Sequence, residues 1–168
     1  SSTRKSFTFK AVRVKWNSIG TGQWIDDFWY GFWDEIEIQQ RDDKPEYYRV
    51  KSLYTDDFVT SFGSKLGTYE NYFVFKVSND GYVTWDAPLC INTSYQDTGI
   101  DILGHLPSQL SPDFAGDDAQ SVATYDDEGN IQYLTIAPYW YVGDLGGFGI
   151  NNLYLAFPGY DLASELGF

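Results

Sequence analysis

Residues 24–33, WIDDFWYGFW, carry six large aromatic side chains around two adjacent acids. Exposed rings can stack on the apolar C–H face of a sugar, while carboxylates at their edge accept hydrogen bonds from its hydroxyls. A similar group of rings follows at residues 139–141, shortly before Asp144. The candidate ligand-binding residues are Trp24, Trp29, Trp33, Tyr139, Trp140, Tyr141, Asp26, Asp27 and Asp144.

The same rings allow other interpretations. On a single strand they would divide between two faces, with Trp24, Phe28, Tyr30 and Phe32 on one and Trp29 and Trp33 on the other. Core packing can take such rings, because large aromatic side chains are mostly buried. A membrane-interface anchor is disfavoured because the flanking residues are acidic rather than basic. Core packing and a ligand platform remain open alternatives, which the exposure of the tryptophans will separate.

Paired carboxylates raise the possibility of glycoside hydrolysis, which needs two of them about 5–9.5 Å apart across a cleft. The adjacent acid pairs are Asp26-Asp27, Asp42-Asp43, Asp56-Asp57, Asp117-Asp118 and Asp126-Asp127. Adjacent residues on a strand point to opposite faces, and most of these pairs stand beside turn-forming residues. We therefore predict turn residues and no enzyme, with a glycoside hydrolase as a remote alternative.

Metal and cofactor sites are not indicated either. His105 and Cys90 are the only histidine and cysteine, and no nucleophile or zinc motif surrounds them. The oxygen-rich segments SPDFAGDD and YDDEGN lack EF-hand spacing, and GDLGGFG lacks the lysine of a phosphate-binding loop. We predict no metal and no cofactor, and leave open whether an acidic loop binds Ca²⁺.

The charge is strongly segregated along the chain. No Lys or Arg follows Lys76, so residues 77–168 supply the whole net charge of −13, while residues 1–76 balance to zero. Such a surface repels phosphate backbones, which excludes nucleic acid as a partner. It suits solubility, Ca²⁺ or neutral ligands such as glycans.

Period-2 alternation runs through residues 6–16, 34–40 and 46–54 and predicts strands. Two further segments predict hairpins, one turning at residues 79–81 and the other at residues 128–130. Helical patterns are confined to short stretches at DLASELGF and LPSQLSPDF. We predict an all-β fold, an antiparallel two-sheet β-sandwich with little helix. It forms a single domain over residues 1–168, with a possible soft boundary in the loop-rich stretch near residues 95–120.

The first third of the chain resembles uncharacterised cell-surface lipoproteins of Bacteroidetes. The resemblance rests on the order of four pieces: WNSIGTG at residues 16–22, Asp26, IEIQ at residues 36–39 and YRV at residues 48–50. It implies a secreted, β-rich protein held at the outer membrane only through an upstream lipid anchor, with no known catalytic residues. The missing methionine agrees with a processed chain. Independently of this resemblance, Gly20 and Gly22 predict a tight turn after the first strand.

Together these patterns favour a non-catalytic cell-surface domain that binds a glycan or a surface protein partner through exposed aromatic rings. The alternative is a structural or adhesin-type module whose rings are all core.

Overall fold

The computed structural model describes residues 13–61 and 72–168. These residues form twelve strands: β1 (Trp16–Asp26), β2 (Phe32–Arg41), β3 (Tyr47–Lys51), β4 (Tyr72–Val77), β5 (Val83–Thr84), β6 (Leu89–Ser94), β7 (Asp101–His105), β8 (Val122–Tyr125), β9 (Ile131–Ile136), β10 (Tyr139–Tyr141), β11 (Gly147–Ile150) and β12 (Leu153–Ala156). The same residues also form the short helices α1 (Asp56–Ser61), α2 (Pro107–Leu110) and α3 (Leu162–Glu165), and 3-10 helices at Tyr95–Asp97, Pro112–Gln120 and Gly143–Leu145. Strands make up 46% and helices 19%, so the predicted all-β fold with little helix is confirmed. The strand predicted at residues 6–16 lies outside the described residues except for its end.

The strands pair antiparallel in two sheets, as predicted. The larger has the order β5-β4-β3-β2-β1-β12-β9-β8, and the smaller has the order β11-β10-β7-β6. The large sheet is barrel-like, because its two edges meet at a bridge between Tyr82 and Val122. Two backbone bonds flank this bridge: the Val83 amide donates to Ser121 at 2.9 Å, and the Ala123 amide donates to Gly81 at 2.8 Å. Closure of this kind leaves little unpaired strand edge along the large sheet.

One hydrophobic core lies between the barrel wall and the small sheet. Side chains from both sheets enter it, including Trp24 of β1, Phe73 of β4 and Leu89 of β6. Trp24 stacks on Phe73 at 6.5 Å between ring centroids, and Phe73 meets Trp85 edge-on at 5.5 Å. An eight-stranded barrel is just wide enough for side chains to fill it, and these rings do so.

The glycine pair of residues 20–22 lies inside β1, so the predicted turn at this place is wrong. Gly20 has φ +119° beside a register shift between β1 and β2, which is a β-bulge. Gly22 instead allows a close approach: a Cβ there would meet the carbonyl oxygen of Ala156 and lie 2.7 Å from Cδ1 of Ile38. The motif therefore shapes the barrel wall and does not end a strand.

The outer face of β1 is covered by the C-terminal helix α3. Ile25, Ala156, Leu162 and Ala163 form a second buried cluster there. The Gln23 side chain ties the helix to the strand, accepting from the Ala163 amide and donating to Asp161, both at 2.9 Å. At the C-terminal end of β1 both faces are thus buried, which is how Trp24 and its neighbour Ile25 can both be interior.

Both predicted hairpins are confirmed. β4 and β5 turn through Gly81 at φ +83°, and β8 and β9 turn through Gly129 at φ +84°. By contrast, the stretch near residues 95–120 is more ordered than the sequence predicts. It contains β7, α2 and a 3-10 helix that is capped where Ser111 accepts from the Asp113 amide.

Candidate functional site

The aromatic stretch of residues 24–33 is a hairpin and not a single strand. β1 ends at Asp26, β2 begins at Phe32, and Trp24 pairs with Asp34 across the two strands. The chain reverses through Gly31, whose φ of +66° few other residues adopt. The predicted division of the rings between two strand faces is therefore wrong, because the alternation stops at Asp26.

The carboxylate of Asp26 organises the loop of this hairpin. It is 0% exposed. One oxygen accepts from the amides of Phe28 and Trp29, both at 2.8 Å, and the other accepts from the Tyr30 amide at 2.7 Å. A buried carboxylate is stable only when hydrogen bonds of this kind replace its hydration. The structure thus places the Asp26 carboxylate inside its own loop, whose amides occupy its oxygens, and not at a solvent-facing edge.

Burial near this carboxylate also affects Tyr54. Burial, followed by the negative charge of Asp26, raises the pKa of the Tyr54 hydroxyl well above its usual value. The same ring packs against Tyr30 at 5.6 Å and Phe32 at 5.8 Å. Phe58 of α1 stacks on Phe32 at 4.3 Å. The structure thus places Tyr30 and Phe32 against the core and Trp24 inside it, with its ring buried.

Four of the remaining rings form a continuous surface, which we call the aromatic platform: Phe28, Trp29, Tyr95 and Phe148. Trp29 lies at its centre, edge-on to Phe28 at 4.8 Å and to Phe148 at 5.8 Å. Tyr95 extends the row, 5.2 Å from Phe148. Phe28 is 39% exposed and Phe148 37%. The loop after β1, the 3-10 turn after β6 and strand β11 thus bring four rings together, of which Phe28 and Phe148 are exposed while Trp29 and Tyr95 are partly buried against the core.

Trp140 supports the platform from below. It is buried, its indole nitrogen donates to the Asn151 carbonyl at 3.0 Å, and Trp29 meets it at a 90° interplanar angle at 5.5 Å. The structure thus places Trp140 in the core, where it supports the partly buried ring of Trp29. Within the described ranges the Trp29 indole nitrogen is buried and has no acceptor, which costs roughly 1–3 kcal/mol.

The other predicted rings lie elsewhere. Trp33 packs on the outer cluster beneath α3. Tyr139 lies over Gly147 and stacks on Phe114 at 5.4 Å. Tyr141 is exposed, but it shares the Tyr139 side of β10, opposite to Trp140. In the part of the chain that the structure describes, no ring contact joins these three to Trp29.

Carboxylates accompany the platform along the chain. Asp27 precedes Phe28, and Asp144 lies in the 3-10 turn that leads into β11, where Phe148 is found; both are exposed. The predicted site residues do not include Phe28, Tyr95 or Phe148. The sequence does carry one signal for Phe148: it stands in the glycine-rich run GGFG, whose glycines have no side chains to cover its ring.

Outside the platform lie the single histidine, further acidic residues and the buried Asn92. Burial lowers the pKa of His105, whose strand partner is Tyr139. Among the described residues, no three side chains of His, Cys, Asp or Glu come together in a way that could hold a metal ion. Asn92 of β6 is buried, and its amide nitrogen donates to the Tyr54 carbonyl at 2.8 Å and to Asp56 at 3.0 Å.

The reactivity of the Cys90 thiol tests how β6 of the small sheet is packed. Burial raises the pKa of its thiol to about 11, so its thiolate fraction at mildly alkaline pH is roughly a hundredfold below that of an exposed cysteine. We expect the native thiol to react with a disulfide reagent at least about a hundredfold more slowly than the thiol in denaturant. Equal rates in the two states would mean that β6 is not packed as described.

Comparisons with known protein families, with curated proteins and with solved structures found no match to this chain. The helices within residues 13–61 and 72–168 include none with the length and apolar character needed to cross a membrane.

Proposed function

We propose that this protein is a non-catalytic domain that binds a neutral glycan on the aromatic platform. The observation that carries the proposal is the row of contacting rings centred on Trp29, exposed at Phe28 and Phe148, with the buried Trp140 holding it from below. A sugar ring is recognised by stacking on such rings, which need to be rigid so that little entropy is lost on binding. The Asp26 carboxylate and Trp140 supply that rigidity.

The charge around the platform supports a neutral ligand. Tyr95 and Phe148 belong to residues 77–168, which contain no cation, and the carboxylates of Asp27 and Asp144 are exposed nearby in sequence. Carboxylates accept hydrogen bonds from sugar hydroxyls and repel anionic ligands. We propose that the domain acts at the cell surface, tethered through an upstream lipid anchor, where such glycans are met.

The structural-module alternative rests on the aromatic rings outside the platform. Trp24, Tyr30, Phe32 and Trp140 are all accounted for by packing within the domain. If the platform binds nothing, packing within the domain is still enough to explain why these aromatic residues are present.

The proposal can be tested with cello-, malto-, xylo- and manno-oligosaccharides, screened against the whole chain and titrated by calorimetry. We expect at least one neutral oligosaccharide to bind, and Trp29→Ala to weaken it about tenfold or more, because the central stacking ring is lost.

Tyr82→Ala is the matched control, since Tyr82 is 45% exposed and lies at the bridge that closes the barrel. We expect it to change the affinity by less than about twofold. Equal weakening by the two variants, or no binding by the native protein to any of the four series, would contradict the proposal and favour the structural module.

A further inference from the structure

A second surface lies on the outer side of β2, β3 and β4, and it is centred on Arg49. The Arg49 guanidinium lies between two aromatic rings, with its carbon 4.7 Å from the centre of Trp16 and 4.2 Å from that of Tyr72. Its Nε donates to Gln39 at 2.6 Å. Rings on both sides and a bond at Nε hold the guanidinium in place, with its terminal nitrogens as the remaining donors.

Among the described residues Arg49 has no carboxylate partner, although the protein has an excess of carboxylates. The chain has 24 Asp and Glu against 11 Lys and Arg, so acidic partners are plentiful. Yet within the described residues the single ion pair joins Arg41 to Asp43, and Arg49 is bonded to the neutral Gln39. A rigid guanidinium without an anion is a preformed site for one, since its fork geometry matches a carboxylate.

The side chains around Arg49 add a second cation and a hydrogen-bond acceptor. Lys51 follows on the same face of β3, with its Nζ 5.8 Å from the centre of the Tyr72 ring. Arg49, Lys51 and Tyr72 line a depression of about 260 Å³ together with Glu37. The Glu37 carboxylate accepts a hydrogen bond from the Gln39 side-chain amide at 2.6 Å. Tyr72 is exposed at its side. The depression thus combines two cations, one carboxylate and one open ring.

We propose that this depression binds an acidic sugar, a uronate unit of a polysaccharide. The uronate carboxylate is held by Arg49 and Lys51, a hydroxyl donates to Glu37, and the sugar ring lies against Tyr72. A simple anion would leave Glu37 as a repulsive neighbour, whereas a sugar uses it as an acceptor. The mixed charge of the depression therefore fits a hydroxylated anion.

This site does not depend on the aromatic platform. Trp16 begins β1 and Asp26 ends it, so the two surfaces lie at opposite ends of an 11-residue strand. One can bind while the other does not, and the Trp16 and Trp29 indole signals distinguish the two by NMR.

The test is a calorimetric titration with trigalacturonate and with its methyl ester, which removes the charge and keeps the sugar. We expect trigalacturonate to bind at least about tenfold more tightly than the ester at equal ionic strength. Arg49→Gln should weaken trigalacturonate about tenfold or more, and Arg49→Lys should weaken it severalfold, because lysine keeps the charge and loses the fork.

Lys44→Gln removes an exposed cation at the turn between β2 and β3 and serves as the control, with less than about twofold change expected. Thermal melts of each variant separate lost binding from lost folding. The proposal is overturned if the ester binds as well as the acid, if folded Arg49→Gln binds normally, or if inorganic sulfate binds as tightly as trigalacturonate.

Discussion

Gly22→Ala is expected to lower the free energy of unfolding by about 3 kcal/mol or more. The added methyl would overlap the backbone oxygen of Ala156 on β12 and would lie 2.7 Å from Cδ1 of Ile38 on β2. Those strands flank β1 on its two sides, so movement away from one does not relieve the other. The backbone must shift, and strand pairing in the barrel wall is weakened. Urea unfolding followed by circular dichroism measures the loss.

Gly116→Ala is the matched control for that experiment. Gly116 lies in a 3-10 helix, and nothing stands within 4 Å of the position its Cβ would take. We expect its stability to stay within about 0.5 kcal/mol of the native protein. Equal stability of the two variants would mean that β1 and β12 do not approach as closely as described.

Asp26→Ala is expected to destabilise the protein by about 3 kcal/mol or more and to disorder the platform. Three amide groups, those of Phe28, Trp29 and Tyr30, lose a charged acceptor in a partly buried loop. Because the loop carries two platform rings, oligosaccharide binding should fall together with stability. Urea unfolding and calorimetric titration of the same sample measure both effects.

Two further variants make this prediction specific. Asp26→Asn keeps one acceptor oxygen, so about half of the loss is expected. Asp27→Ala removes an exposed neighbour and should change stability by less than about 0.5 kcal/mol. If Asp26→Ala were as stable as Asp27→Ala, the carboxylate would not be what holds the loop.

Local chemistry explains why parts of the fold could be predicted. The hairpins at Gly81 and Gly129 follow from turn residues a few positions apart, and in the second the Asp126 carboxylate accepts from the amides of Glu128 and Asn130. The closure of the barrel depends on contacts distant in sequence: β1 pairs with β12, and Tyr82 bridges to Val122. Period-2 alternation predicts which face of a strand is buried but not which strand pairs with it. A sandwich and a barrel-like sheet therefore give the same alternation in the sequence.

The candidate site was only partly predictable for a related reason. Alternation predicts one continuous strand through residues 24–33, but β1 ends at the buried Asp26, and an aspartate in a sequence carries no mark of burial. Trp29 is partly buried at the edge of the core, whereas Trp24 and Trp140 are interior. Tyr95 and Phe148 join Trp29 from distant parts of the chain, and no local pattern records that contact.

The most direct test of the central claim is an NMR titration of the six tryptophan indole N–H signals with the neutral oligosaccharide that binds best. The Trp29 signal, assigned by its loss in Trp29→Phe, should shift progressively and saturate. The signals of Trp24 and Trp85, which are buried in the core, should stay in place. A saturating titration in which the Trp29 signal does not move, while calorimetry reports binding, would contradict recognition by the aromatic platform.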